Sequence, residues 1–386
     1  MSLNNMTSSP LRWLMVVVAL LVTLLVLLVW WLPRPKRTGN ASVLAARPGV
    51  QRVARPTEVG RKRQWPAPTS LGSEPAEEDS LKMSESQLGL MDVLLRMRLG
   101  QLSKLTPEQV EEWLAKEGRS AVNLLAAHRL LNDPAMLEEA ARKFPNDTRV
   151  QMEVLLKGLF PGDRQRWLEA FKRSAPGNSL PNVLAAQEHL KAGRPEQAVQ
   201  ELLMASRKPG LDTYLFDMQP ALESAWTTSG YPQAAGQLMS TFGTQLPVIS
   251  ALQDVAARSA DMAAKLRQGG DTSSADAMAS AGAAMGQQLN ENGRTFIAEL
   301  VGMQIESKFL QQVPADAPAG GSAQTAGLRL AELKQQQEEL VRLAKSFDDT
   351  TPLRVSDADI GTYFERLRRD GEFSAMQWLQ GRLDQK

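Results

Sequence analysis

A six-residue pattern that occurs three times along the chain indicates its fold. The first copy is Gly193-Arg194-Pro195-Glu196-Gln197-Ala198. It is echoed by Gly230-Tyr231-Pro232-Gln233-Ala234-Ala235 and, more loosely, by Gly270-Asp271-Thr272-Ser273-Ser274-Ala275, at intervals of 37 and 40 residues. In each copy a glycine is placed to end one helix, and a proline, threonine or serine is placed to start the next. The alanine that follows suits a position where two helices approach closely. The pattern therefore predicts a series of helical hairpins.

These residues resemble the tetratricopeptide repeat family. The resemblance is clearest from Leu180 to Gly210, where Gly193 fits the turn glycine, and the second copy keeps Ala235 and the closing Pro247. The small packing positions of the family are matched by Ala185, Ala186, Ala198 and Ala205. The resemblance implies a solenoid of stacked hairpins that share one core. The alternative is an irregular helical bundle in which the pattern recurs by chance.

Apolar periodicity predicts helices outside the repeat as well. From residue 88 onward, apolar residues fall at three- and four-residue steps: Leu88, Met91, Leu94, Leu95, Leu99 and Leu102. Thr106 with Gln109 three residues later forms a capping-box signal, and Gly118 a stop signal. Asp133 before Pro134 is typical of another helix start. No strand-like alternation competes with these patterns, so the fold class predicted is all-α.

We divide the soluble part into three segments. Residues 86–310 form the predicted helical-repeat domain, residues 311–327 a Pro/Gly/Ala-rich flexible break, and residues 328–386 the C-terminal helices, whose last hairpin forms a helical cap. The leucine-rich helix after residue 328 is a packed terminal helix or a short coiled coil, and fewer than three heptads favour the packed helix. Within the repeat domain, residues 256–284 are rich in alanine and glycine. We expect this stretch to be the least stable, since each small side chain buries little area.

The amino terminus predicts a membrane anchor. After a tail of residues 1–13, residues 14–32 run for 19 residues with Thr23 as the only polar member. As a helix they span roughly 28 Å at ~1.5 Å per residue, enough for a hydrocarbon core. Tryptophans stand at both ends, as at membrane interfaces. A cleaved signal peptide is the alternative, but its apolar core is normally shorter, about 7–15 residues.

Residues 33–85 are predicted to be a disordered linker, because they contain seven prolines and no apolar periodicity. Residues 1–63 carry a net charge of +9, which leaves −8 for the rest of the chain. Basic residues beside a membrane helix favour contact with anionic lipid, here through Arg34, Lys36 and Arg37. We expect no nucleic-acid binding. The excess of positive charge after the helix favours a cytoplasmic large domain over an extracytoplasmic one.

The sequence contains no motif that is typical of a catalytic site. It contains no cysteine and only two histidines, His128 and His189, which lie in apolar helical patterns. It has no glycine-rich phosphate loop, paired-histidine zinc motif or serine nucleophile elbow. We therefore expect no enzyme activity, no catalytic or metal site and no cofactor. The function predicted is a membrane-anchored helical-repeat scaffold for protein–protein interaction. The alternative is an accessory subunit of a membrane enzyme or transport system.

The repeat resemblance also places a candidate binding face. In such repeats the first helix of every hairpin lines one side of the solenoid, and its polar positions face a protein or peptide partner. Aligning the three turn glycines puts six residues on that side: Gln187, Lys191, Ser224, Thr228, Arg267 and Gln268. With no acid among them, they would suit an extended or acidic peptide. An ordinary solvated face is the alternative.

Overall fold

The computed structural model of the protein describes residues 104–242, 247–319, 324–347 and 356–385. These residues form fifteen α-helices and one short 3-10 turn at Pro161–Asp163, without a β-strand in the described ranges, so the all-α prediction is confirmed. The predicted tail 1–13, membrane helix 14–32 and linker 33–85 lie outside these ranges. Of the helices that are described, none has both the length and the apolar composition needed to cross a membrane.

We number the helices in chain order. They are α1 Pro107–Glu117, α2 Ala121–Leu131, α3 Pro134–Lys143, α4 Thr148–Lys157, α5 Arg164–Ser174, α6 Leu180–Lys191, α7 Pro195–Ser206, α8 Gln219–Thr228, α9 Gln233–Phe242, α10 Pro247–Gln268, α11 Thr272–Asn292, α12 Phe296–Leu310, α13 Ala326–Ser346, α14 Asp357–Asp370 and α15 Glu372–Asp384.

Local sequence signals set many of the helix ends. At the start of α1 the Thr106 hydroxyl accepts the Gln109 N–H at 3.3 Å, and the Gln109 side chain accepts the Thr106 N–H at 2.9 Å. This is the predicted capping box, which satisfies two amides that the helix itself leaves without a partner. Ser356 and Asp359 form a second one at the start of α14. Asp133 caps α3 as expected.

Helices α1 to α7, which we call the array, pack each against the next along the chain. The core of the array consists of large apolar side chains that are fully buried, among them Trp113, Leu124, Leu137, Met152 and Phe171. Apolar area removed from water is the main force that holds such helices together.

The three predicted hairpins are present, as the pairs α6–α7, α8–α9 and α10–α11. Their turn glycines Gly193, Gly230 and Gly270 have φ of +66°, +92° and +89°, the left-handed region that favours glycine. The predicted small positions Ala198, Ala205 and Ala235 are buried, so close helix contact occurs there.

The hairpins do not stack in chain order, however. The pair α10–α11 lies beside α6–α7, with α10 on α6 and α11 on α7. The intervening pair α8–α9 turns back to the start of the array, where α8 packs against α1 and α2. Helix α10 also contacts α4. The chain therefore covers the face of the array that α2, α4 and α6 line.

Helices α11 and α12 meet along a line of glycines that we call the seam, made by Gly282, Gly286 and Gly302. A Cβ atom on Gly286 would lie 2.4 Å from the Glu306 nitrogen, and one on Gly302 would lie 2.4 Å from the Asn290 nitrogen. The two backbones approach this closely only because neither residue has a side chain.

The C-terminal helices attach to α12 and to α9. Arg329 of α13 forms a buried, two-bond ion pair with Glu306 of α12, at 2.6 and 3.1 Å. Helix α14 packs on α9, and its Arg368 reaches Glu223 of α8 at 2.7 Å. Between α12 and α13, part of the predicted break 311–327 is tied by backbone hydrogen bonds, such as Ala326 N–H to the Ala317 carbonyl at 2.8 Å. Its flexibility remains a prediction.

Candidate functional site

Three connections between helices meet at one edge of the domain and enclose an open cleft of about 720 Å³. They are the turn between α5 and α6, the connection 207–218 between α7 and α8, and the turn between α11 and α12. Binding sites are often built from loops that a rigid scaffold positions. The cleft is within the size range of small-ligand pockets, which makes it our candidate functional site.

Asn178 organises two of these loops. Its Nδ2 donates to the Asp212 carbonyl at 2.8 Å and to the Tyr214 hydroxyl at 3.3 Å. Its Oδ1 accepts the Leu180 N–H at 3.0 Å and the Asp212 N–H at 3.1 Å. This buried side chain thus satisfies groups on both loops and fixes the distance between them.

Asn292 joins the third loop to the other two. Its Oδ1 accepts the Leu211 N–H at 3.0 Å. Gly210 leaves room for this side chain, because a Cβ atom there would lie 2.6 Å from the same oxygen and would displace it. The neighbouring Gln288 side chain donates to the Lys208 carbonyl at 2.9 Å. The cleft is therefore held by side chains that come from α11 and from the loop before α6.

Two cleft residues have backbone conformations that residues other than glycine rarely adopt. Tyr214 and Arg294 both have φ of +51°, and neither is a glycine. Strained positions of this kind persist only where their surroundings fix them, and they are frequent at ligand sites. At Tyr214 the fixing contacts are the Asp212 carboxylate, which accepts the Tyr214 N–H at 2.8 Å, and the ring of Phe171 at 6.3 Å.

The charged groups on the cleft are mainly acidic. Asp212, Asp217 and Glu291 are exposed on its lining, against Arg294 alone among the basic residues that line it. Burial and, next, the neighbouring Asp212 raise the pKa of Asp217, which Arg149 opposes from 3.8 Å. Leu215 and Phe216 are half-buried between these acids. The arrangement suits a ligand with an apolar body and a positively charged group.

The predicted face divides into internal and exposed residues. The Gln187 side chain is buried, and its Nε2 donates to Asp254 of α10 at 2.9 Å. Ser224 accepts a hydrogen bond from the Trp113 indole of α1 at 3.2 Å. Gln187 is therefore closed by α10, whereas Ser224 is half-buried, and whether either residue binds a partner stays a prediction. They also face different partner helices, so the six residues do not form one row.

The other four members of the predicted face are at least partly exposed. Lys191 lies 3.5 Å from Glu188 of its own helix, and Arg267 pairs with Asp276 across the α10–α11 turn. Thr228 is half-buried and Gln268 is exposed. Whether these residues bind a peptide remains a prediction.

Neither histidine takes part in the cleft lining. His128 is buried, and its Nδ1 lies 2.8 Å from the carbonyl of Asp133, the residue that caps α3. Burial lowers the pKa of His189 on α6. Within the described part of the chain, no group of three or more His, Cys, Asp or Glu side chains is arranged to hold a metal ion.

The residues that build the cleft, namely Asn178, Asn292 and the strained Tyr214, stand in no motif that the sequence makes visible. A local signal exists in Pro209-Gly210, a turn pair that opens the connection to α8. The contact of that loop with residue 292 joins positions 81 residues apart, which no local pattern encodes.

Comparison of the chain with known protein families, characterised proteins and solved structures finds no match. The geometry of the described residues therefore carries the functional argument.

Proposed function

We propose that the protein is a membrane-anchored helical scaffold that binds a protein partner through the three-loop cleft. The cleft is the single observation that carries this proposal: it is an open, partly apolar concavity whose loops are fixed by buried hydrogen bonds. A site whose shape is set before binding loses less conformational freedom when a partner is bound.

The acidic lining suggests the chemistry of the partner. A Lys or Arg side chain, or an amino terminus, would be attracted by Asp212 and Asp217, while Leu215 and Phe216 would contact its apolar neighbours. We prefer this partner to the extended or acidic peptide expected at the six predicted residues, because Gln187 is buried against Asp254.

The anchor is the second part of the proposal and rests on the sequence. The apolar segment 14–32 would hold the scaffold at a membrane, with Arg34, Lys36 and Arg37 on anionic lipid and the linker 33–85 giving the domain reach. Placement of the large domain in the cytoplasm follows the same charge argument. Alkaline extraction should leave the full-length protein in the membrane pellet, and its release would contradict the anchor.

The binding part is tested by capture of partners from solubilised membranes with the full-length protein as bait. The key variant is Asp212→Asn with Asp217→Asn, which removes two charges while keeping the oxygen that accepts the Tyr214 N–H. Loss of two charge-assisted contacts should lower recovery of the partner at least about tenfold. The matched control is Glu338→Gln with Glu339→Gln on α13, two exposed acids whose loss should not change recovery.

The outcomes separate the parts of the proposal. A stoichiometric partner that both variants still capture would keep the scaffold and exclude the cleft as its site. Recovery of no protein partner, together with turnover or a bound small molecule, would favour the accessory subunit of an enzyme or transport system.

A further inference from the structure

The turn between α11 and α12 forms one wall of the cleft and also receives the terminal hairpin α14–α15. The Glu372 N–H at the start of α15 donates to the Arg294 carbonyl at 2.9 Å. The Glu372 carboxylate in turn accepts the Phe296 N–H, the first amide of α12, at 2.7 Å. One residue of the terminal hairpin therefore bonds both sides of the turn that carries the cleft residue Arg294.

A second carboxyl group lies one helical turn along α12 from the Phe296 amide that Glu372 binds. It belongs to Glu299, which is half-buried and whose carboxyl group forms no hydrogen bond or ion pair with the described residues. Burial and the charge of Glu372 together raise the pKa of Glu299 to about 7. Burial also raises the pKa of Glu372, although the Phe296 N–H works against that change. Two carboxyl groups that interact in such surroundings are difficult to ionise together.

The other charged and titratable groups nearby do not neutralise the pair. Tyr363 of α14 is half-buried and its pKa is raised well above the ordinary value, so its hydroxyl carries no charge at neutral pH. Arg294 directs a guanidinium nitrogen to the Arg368 carbonyl at 3.5 Å, and Arg368 pairs with Glu223 of α8. Helix α9, which packs on α14, contains no charged residue.

We propose that Glu299 and Glu372 form a proton-operated clasp, which holds the terminal hairpin α14–α15 against the wall of the cleft and releases it when both carboxyl groups are ionised. With one proton shared by the pair, the Glu372 bond to α12 persists and the rings of Phe296 and Phe373 stay 6.3 Å apart. With no proton on either carboxyl group, the negative charges of Glu299 and Glu372 repel each other at the contact that joins α12 and α15.

The direction of the pH dependence follows from proton binding. In the closed clasp Glu299 titrates above its ordinary value of 4.5, near 7, so the closed state binds more protons than the open state between these values. Closing therefore becomes less favourable as pH rises from about 4.5 to 7, by up to about tenfold per pH unit for one proton, and the loss is complete above 7.

Hydrogen exchange of the full-length protein at pH 5.5 and 8, corrected for intrinsic exchange rates, tests the clasp. We expect the opening equilibrium of the amides in α14, α15 and residues 294–298 to increase at least about tenfold from pH 5.5 to 8, while amides of α2 and α4 do not respond. Glu299→Gln should reduce this response to the smaller part that Glu372 contributes, and should leave the hairpin more closed at pH 8 than in the unaltered protein. Glu338→Gln, on the exposed face of α13, should behave like the unaltered protein.

Glu372→Gln provides a second variant, because the amide oxygen can still accept the Phe296 N–H while the charge is gone. It should also reduce the pH response, because the charge of Glu372 no longer raises the pKa of Glu299. A pH response of undiminished size in Glu299→Gln, or an unaltered protein without one, would overturn the clasp. Equal loosening at both pH values in Glu299→Gln would also overturn it, since that result marks a purely structural role.

Discussion

The array and the seam are held together by opposite means. In the array, large side chains such as Trp113 and Phe171 fill the space between helices and are fully buried. In the seam, the space itself is removed, because Gly286 and Gly302 let the backbones of α11 and α12 approach until no Cβ atom would fit. The first arrangement depends on buried apolar area, and the second on the absence of side chains.

The two regions test the argument from buried area. By that argument the alanine- and glycine-rich stretch 256–284 should be the least stable part of the domain. Against it, Gly282 inside the stretch and Gly286 just after it permit van der Waals contacts at short range, and the α11–α12 pair is reinforced on its outer side by the Glu306–Arg329 ion pair. The relative stability of the two regions is therefore a question for measurement.

The largest effect is expected from Phe171→Ala in the array. Removing this fully buried ring leaves a cavity and should lower the free energy of unfolding by about 3–5 kcal/mol, as measured by urea denaturation. Met204→Ala on α7 is the control, since 43% of Met204 is already exposed and little packing is lost. Similar losses for the two variants would contradict the packing described for the array.

Loss of the ion pair on the outer side of the seam should lower the free energy of unfolding almost as much. Arg329→Met leaves the Glu306 carboxylate buried without its partner, at a cost of about 3 kcal/mol or more. Adding Glu306→Leu should restore most of the stability, because the unpaired charge is then gone. A double variant no more stable than the single one would show that the pair is not as buried as the structure indicates.

A smaller loss is expected when one carbon atom is added to the seam. Gly286→Ala should cost about 1–3 kcal/mol, because its Cβ would lie 2.4 Å from a backbone nitrogen that cannot move independently of α12. Thermal unfolding measures the change. An unchanged melting temperature would mean that the two helices are further apart than described.

The smallest expected effect is a gain in stability. It comes from a substitution that serves as the matched control for the seam. Gly381 lies inside α15, and a Cβ atom there would meet nothing within 4 Å. Gly381→Ala should therefore stabilise the protein by about 0.5–1 kcal/mol through helix propensity alone. Substitution by alanine thus distinguishes a glycine that a close helix contact requires from a glycine that no contact requires.

Local signals in the sequence predicted local structure well. The capping box at Thr106 and the left-handed Gly193, Gly230 and Gly270 all lie where expected, because each depends on a few neighbouring residues. The all-α class follows from the same signals.

What the sequence did not predict depends on contacts between distant residues. The return of α8 to α1 joins Ser224 to Trp113 across 111 positions, and no repeat pattern specifies it. The cleft depends in the same way on Asn178 and Asn292, whose roles appear only when three loops are brought together. A repeat pattern predicts the hairpins themselves, but the neighbour of each hairpin is decided by shape complementarity over the whole core.

Helices α8 and α10 cover the face of the array that a solenoid would leave open. Because the chain has no cysteine, single cysteines at Gln187 and Gln268 can be compared directly by their rates of reaction with a soluble maleimide. The structure buries the first position and exposes the second, so Gln187→Cys should react at least about tenfold more slowly than Gln268→Cys in the folded protein, and equally fast in urea. Equal rates in the folded protein would show an open groove at Gln187 and contradict this account.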